Sequence, residues 1–137
     1  MLVTRETDYA VRCILYLARN NDRRSSTAEI AQQMHIPRTY LSKILQRLVR
    51  GRLVESARGI GGGFRLAKHP SSISLLDIFT IMQGTAPVNI CATDKRRCRL
   101  STSCSVHPVW VEIRKDVERR LSSETIDQLI LRQTGPV

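Results

Sequence analysis

Residues 26–66 read STAEIAQQMHIPRTYLSKILQRLVRGRLVESARGIGGGFRL, and this stretch decides the fold. Ser26-Thr27-Ala28-Glu29 has the form of a capping box and predicts a short helix through about Gln33. Met34-His35-Ile36 reads as a turn, and Pro37 suits the first position of a second helix running to about Arg50. Leu41, Ile44, Leu45, Leu48 and Val49 recur at helical spacing as its inner face, while Thr39, Ser42, Lys43, Gln46 and Arg50 point outward. Gly51 is a natural stop. A short helix, a tight turn and a longer helix with a polar, basic outer face make a helix-turn-helix pattern. Leu53–Ala57 and Phe64–Leu66 then predict two short strands around Arg58-Gly59-Ile60-Gly61-Gly62-Gly63. A glycine-rich hairpin flanked by Arg58 and Arg65 behind such a helix is a wing, able to reach phosphates or a groove. It is not a nucleotide-phosphate loop, because GxxxxGK[ST] is absent and no helix follows the glycines.

Upstream, about Arg5 to Asn20 carries two overlapping apolar stripes, Ala10, Cys13, Ile14, Leu17 and Val11, Ile14, Leu15, Ala18, so a largely buried helix is expected. Cys13 lies on it as a small core residue. Downstream, Ser74 caps a short apolar helix from Leu75 to Gln83. Gly84 to Cys104 has no periodicity and reads as a functional loop. Pro108 opens a long helix to about Leu121, with a narrow stripe of Val106, Trp110, Ile113, Val117 and Leu121 suited to pairing with another helix. Ser123 is expected to cap a last amphipathic segment. The fold class is therefore mainly α: a winged helix-turn-helix with a two-stranded β wing and a long C-terminal helix. Residues 1–83 form the winged unit, 84–105 the cysteine-bearing loop, and 106–137 the long and last helices.

The net charge of +10 is uneven. Residues 1–70 hold 13 Lys and Arg against 5 Asp and Glu, giving +8, whereas 71–137 hold 9 against 7, giving +2. A positive field concentrated in one half favours a polyanion, and nucleic acid is the commonest such partner. There is no run of 18 apolar residues and no signal-peptide core, so a cytoplasmic protein with reduced thiols, no membrane partner and no structural disulfides is expected. No Ser/His/Asp or paired-carboxylate arrangement offers catalysis, so neither enzyme activity nor a small-molecule substrate is expected. His35 and His69 read as turn and loop residues.

The segment NICATDKRRCRLSTSCSVHPVW, from Asn89, places Cys91, Cys98 and Cys104 with six and then five residues between them, and His107 close behind. A tetrahedral zinc usually takes at least one CxxC-type pair, and none occurs. Three thiolates with a further donor suit an iron–sulfur cluster, whose irons favour sulfur. Lys95, Arg96, Arg97 and Arg99 would offset its charge and help keep the thiols ionised.

Several segments, in this order and spacing, resemble the iron–sulfur winged-helix regulators that include IscR, NsrR and RirA. They are Thr7-Asp8-Tyr9-Ala10-Val11-Arg12, Ile36-Pro37-Arg38-Thr39-Tyr40-Leu41, the wing Arg58–Phe64 and Cys104-Ser105-Val106-His107-Pro108-Val109-Trp110. The resemblance implies a homodimeric transcription factor, expected here as a repressor, joined through its long C-terminal helices beside the cluster loop. Its operator affinity would change on loss, oxidation or nitrosylation of the cluster. His107 matches the histidine that goes with a [2Fe–2S] cluster, and Asp8 the aspartate that a partner subunit donates to [4Fe–4S]. Two departures stand out. IscR-like members usually have five residues between the first two cysteines, and they carry a glutamate where this chain has Ser42, so DNA specificity does not transfer. Residues expected on duplex DNA are Arg38, Thr39, Tyr40, Ser42, Lys43 and Arg47 of the second helix, with Arg58, Gly59 and Arg65 of the wing. Two other readings compete: a winged-helix regulator sensing by thiol oxidation or zinc without a cluster, and an iron–sulfur electron-transfer protein docking an acidic partner.

Overall fold

The computed structural model describes residues 3–84 and 88–135, and the elements follow the chain's own local signals. Thr4, extended at the N-cap, accepts the Thr7 amide and opens α1 (Arg5–Arg19). Ser26 likewise accepts the Glu29 amide and opens α2 (Thr27–Met34), which His35 closes in a left-handed conformation at φ 53°. Only half of the expected box forms at Ser26, because the Glu29 carboxylate turns to Arg23 and Tyr16 instead. Pro37 precedes rather than begins α3 (Arg38–Arg50).

Gly51 does end α3, but for a tertiary reason. Its φ of −76° is open to any residue, and the left-handed position is taken by Arg52 at φ 61°. A Cβ on Gly51 would stand 2.4 Å from Ile81 Cδ1, so the glycine permits close approach of the next helix. Strands β1 (Val54–Ala57) and β2 (Gly63–Leu66) pair antiparallel, with Val54 opposite Leu66 and Ala57 opposite Gly63. A further bridge from Ser25 to Phe64 ties the wing to the connection before α2. A 3-10 turn at Pro70–Ser72 leads into α4 (Leu75–Gln83), where Ser74 and Asp77 form a complete capping box. Of α4 only Ile78, Phe79 and Met82 are fully buried, fewer than its uniformly apolar sequence suggests.

The core is the meeting of α1, α2, α3 and the base of the wing. Ile14, Leu17, Ile30, Leu41, Ile44, Leu45, Leu48 and Leu53 are sealed there with Cys13, Ile73 and Ile78. The cysteine segment is more ordered than its aperiodic sequence implies: it holds a one-turn helix α5 (Ile90–Thr93) and a 3-10 turn at Lys95–Arg97. Residues 85–87 of the expected loop lie outside the described residues. Helix α6 (His107–Ser123) begins one residue before Pro108 and packs on α4 and α5. Ser123 ends α6 rather than capping the next helix; Thr125 precedes α7 (Ile126–Arg132). Although α7 belongs to the C-terminal segment by sequence, it returns to α1 and buries Ile126 in the N-terminal core. Hydrogen bonds Leu75 N to Glu124 O (2.9 Å) and Ile126 N to Ile73 O (2.9 Å) anchor that return. Among the described residues, no helix is long and apolar enough to cross a membrane.

Candidate functional site

Four buried residues of α3, Leu41, Ile44, Leu45 and Leu48, fix which side of it faces out. At ~100° per residue, Thr39, Ser42, Lys43, Gln46 and Arg50 then share one exposed face. Ser42 Oγ donates to Arg38 O (3.1 Å), leaving its lone pairs free to accept. Tyr40 is half exposed, and its ring meets Tyr9 edge-on at 6.4 Å, so it forms a shelf between α3 and α1. Arg5 and Arg12 stand over the Tyr9 ring, with their guanidinium carbons 6.0 and 5.5 Å from its centre.

The cations divide by partner. Among the described residues, Arg38, Lys43, Arg50 and Arg58 make no ion pair or side-chain hydrogen bond. Arg47 does not join them. Its Nη2 donates to the carbonyls of Ile81 (2.9 Å) and Met82 (2.6 Å), and its Nη1 reaches Glu6 (3.4 Å). Expected on DNA, Arg47 instead satisfies the last turn of α4, whose carbonyls lack helical partners. Arg65 is paired with Glu55 across the hairpin, and Glu55 also receives Arg24 (3.3 Å). These guanidinium groups hold the Glu55 carboxyl below its usual range, Arg65 most strongly. Gly59 is exposed in the turn at φ 85°.

A cleft of about 330 Å³ between α3 and the wing is lined by Gln46, Val49, Arg50, Ser56 and Phe64. None of these five is among the residues expected on DNA. The signal for two was present, since Gln46 and Arg50 continue the i, i+4, i+7, i+11 line from Thr39.

Cys91 on α5, Cys98 after the 3-10 turn and Cys104 before α6 line one cavity of about 340 Å³. Asn89, Ile90, Arg97, Leu100 and Trp110 complete its wall. Ser101, buried, donates to Lys95 O (2.8 Å) and braces the loop between the second and third thiols. All four cysteines are free. Cys13 is remote from this group in the sealed core, and burial pushes its thiol up to about 12, so it is inert at neutral pH. His107 does not line the cavity, but its Nδ1 is buried without a hydrogen-bond partner. Asp8 is not brought to the cysteines within one chain; it pairs with Arg12 (2.7 Å) on α1. Among the described residues, no three His, Cys, Asp or Glu side chains stand close enough to hold one metal ion.

The chain from residue 3 to 132 matches the family model Rrf2, described as iron-dependent transcriptional regulators. The chain belongs to the Rrf2 family. Protein aau3 of Rhizobium meliloti is 34% identical over 95% of this chain and 85% of its own length. Among solved structures, CymR, the global cysteine regulator of B. subtilis, superposes with a TM-score of 0.79 at 24% identity, over 97% of this chain and 98% of its own. T. potens IscR does so with 0.74 at 25%, over 96% and 87%. This Rrf2 chain is thus a winged-helix, DNA-binding transcription regulator and not an enzyme, and the electron-transfer reading falls with that membership.

Proposed function

We propose that the chain is a homodimeric regulator whose operator affinity is set by an iron–sulfur cluster on Cys91, Cys98 and Cys104. One observation carries this reading: three thiols, scattered over 14 positions of sequence, line a single cavity whose wall includes Trp110 of α6. Soft thiolates suit the irons of a cluster, and Arg97 in the wall offsets its negative charge. The fourth donor is His107, whose buried Nδ1 lacks a partner, or Asp8 of a second subunit. When bound, the cluster supplies a group sensitive to redox state, nitric oxide or iron supply. Residues 84–105 are then the sensing segment. A ligand there fixes α5 against α6, which packs on α4, whose last carbonyls are held by Arg47 of α3.

The dimer forms through α6. This helix buries no residue fully. Val109 and Ile113 on it, Val106 just before it, and Ile90 and Leu100 of the cysteine segment are exposed large apolar side chains. DNA is read by Arg38, Thr39, Ser42 and Lys43, with Tyr40 as a shelf, Gln46 and Arg50 beside the wing, and Arg58 and Gly59 at the hairpin. Arg65 acts through Glu55 as a brace of the wing.

Protein isolated without oxygen is expected to contain iron and sulfide, absorb in the visible, and bind its operator differently from apoprotein. Single Cys91→Ala, Cys98→Ala and Cys104→Ala variants should lose iron, while Cys13→Ala keeps it. A second reading, thiol sensing without a cluster, is favoured by the partial exposure of Cys98 and Cys104 and by the lack of three converged donors. Iron-free protein whose operator affinity still responds to a thiol oxidant would establish that reading and remove the first.

A further inference from the structure

The tip of the wing carries a side chain that hydrogen-bonded DNA reading leaves unused. Ile60 reaches 110% relative exposure, more than any other large apolar residue described. A solitary exposed aliphatic group is ordinary on a surface, but the setting of Ile60 is not. Gly59 and Gly61 flank it at φ 85° and 74°, and nothing lies within 4 Å of where a Cβ would stand on either. The tip therefore has no side chain on either side of Ile60, which projects as one apolar blade from bare backbone.

The base beneath it is braced. Gly62 N donates to Gly59 O (3.0 Å), and a Cβ on Gly62 would come within 2.5 Å of Ala57 O. Gly63 lies against Ser25, whose backbone exchanges two hydrogen bonds with Phe64 (2.8 and 2.9 Å). Glu55 adds ion pairs to Arg65 and Arg24. The four glycines thus split into two jobs: Gly62 and Gly63 lock the hairpin, and Gly59 and Gly61 clear its tip.

We propose that Ile60 is a wedge which the wing inserts into the DNA minor groove, partly unstacking one base step, while the unpaired Arg58 beside it contacts the groove or its phosphates. The proposal rests on the DNA-binding reading above and extends it from base contacts to DNA deformation. A minor groove is about 6 Å wide, so a hairpin enters only if its tip is narrow, which the flanking glycines ensure. Aliphatic wedges unstack base steps and bend the duplex away from the groove they enter. Flexible pyrimidine–purine steps yield most easily, so the wing would select them without any hydrogen bond to a base.

The test uses the full chain and duplexes of about 30 bp, enriched from a random pool by wild-type protein and labelled at both ends for energy transfer. Wild-type protein should shorten the end-to-end distance. Ile60→Ser should bind about ten-fold more weakly, as for one lost apolar contact. It should leave the duplex nearly straight and keep the salt dependence of binding, while Ile60→Leu should restore affinity and bend. Arg58→Ala should give the opposite signature, with the salt slope lower by about one. Because Ile60 is fully exposed, its variants should melt with the wild type, so a loss of binding reports the contact rather than the fold. Wild-type affinity and bending in Ile60→Ser would overturn the wedge. So would a change in sedimentation without a change in DNA binding, which would make the tip a protein contact. Failure of wild-type protein to enrich any duplex would overturn the DNA-binding reading itself, and the wedge with it.

Discussion

Helices α3 and α6 are both amphipathic, yet they meet the rest of the chain in opposite ways. Over 13 residues α3 seals four side chains into the core. Over 17 residues α6 seals none: Ile113 and Val109 stay exposed, and Trp110, Val117 and Leu121 are half covered. Most helical stability in proteins comes from burying an apolar face. The position of α3 is therefore set by this chain alone, while that of α6 is only partly set by α4 and α5. In the proposed function α3 is a fixed reading head and α6 an under-packed sensing helix, the division a regulator needs if a ligand or a partner is to set its state.

The strongest way to break this contrast is to deny α6 its partner. Ile113→Glu with Val117→Glu places charge on the stripe where the dimer is proposed, and unpaired charge in an interface is strongly unfavourable. The double variant is expected to sediment as a monomer with near-native helicity, since neither side chain is sealed in the core. Its operator affinity should fall by about 10²–10⁴, the scale of lost bivalency. A double variant that stayed dimeric would mean that α6 is under-packed for some other reason.

How legible this was depended on the distance over which each interaction acts. The periodicities of α1, α3 and α6 and the Ser74 N-cap were readable because their partners lie within one or two turns. The intrachain role of Arg47 was not legible because its partners, the carbonyls of Ile81 and Met82, lie 34 and 35 residues away, and on a helical wheel it borders the polar face. Gly51 was placed correctly for the wrong reason, since its close neighbour Ile81 belongs to another helix. Short α5 left no period to detect. The cysteines were conspicuous in sequence, but their shared cavity is lined also by Trp110, which the sequence offered as part of the α6 stripe and of the family segment, not as a wall of the thiol site.

Two arginines one turn apart on α3 sharpen the contrast at smaller cost. Arg47 joins the reading head to α4, which in turn carries α6; Arg50 faces the cleft beside the wing. Arg47→Met is expected to lower stability by about 1–2 kcal/mol in urea melts, because two carbonyls lose a charged donor. Arg50→Ala should change stability by less than about 0.5 kcal/mol and instead reduce the salt slope of DNA binding by about one. The reverse pattern would exchange their roles.

The smallest effect expected is a pH dependence confined to the fixed half. Arg23 and the Tyr16 hydroxyl (2.5 Å) both hydrogen-bond the Glu29 carboxylate, joining α2 to α1 and its following turn. Arg23 first and Tyr16 second lower its pKa to about 2 from an ordinary 4.5. A carboxyl whose folded pKa is depressed stabilises the fold above its unfolded pKa, and that contribution is lost as pH falls through the folded one. The window here is therefore about pH 4.5 down to 2. Since the pair is largely solvated, screening keeps the effect below that of losing Arg47. Melting temperature measured across this window should decline less steeply in Glu29→Gln than in wild type, with the two curves separated most above pH 4.5. Adding salt should narrow that separation, as expected for an exposed ion pair. Equal slopes in both proteins would mean that the Arg23–Glu29–Tyr16 cluster does not contribute to fixing α1 against α2. The rigidity of the reading head would then rest on its apolar core alone.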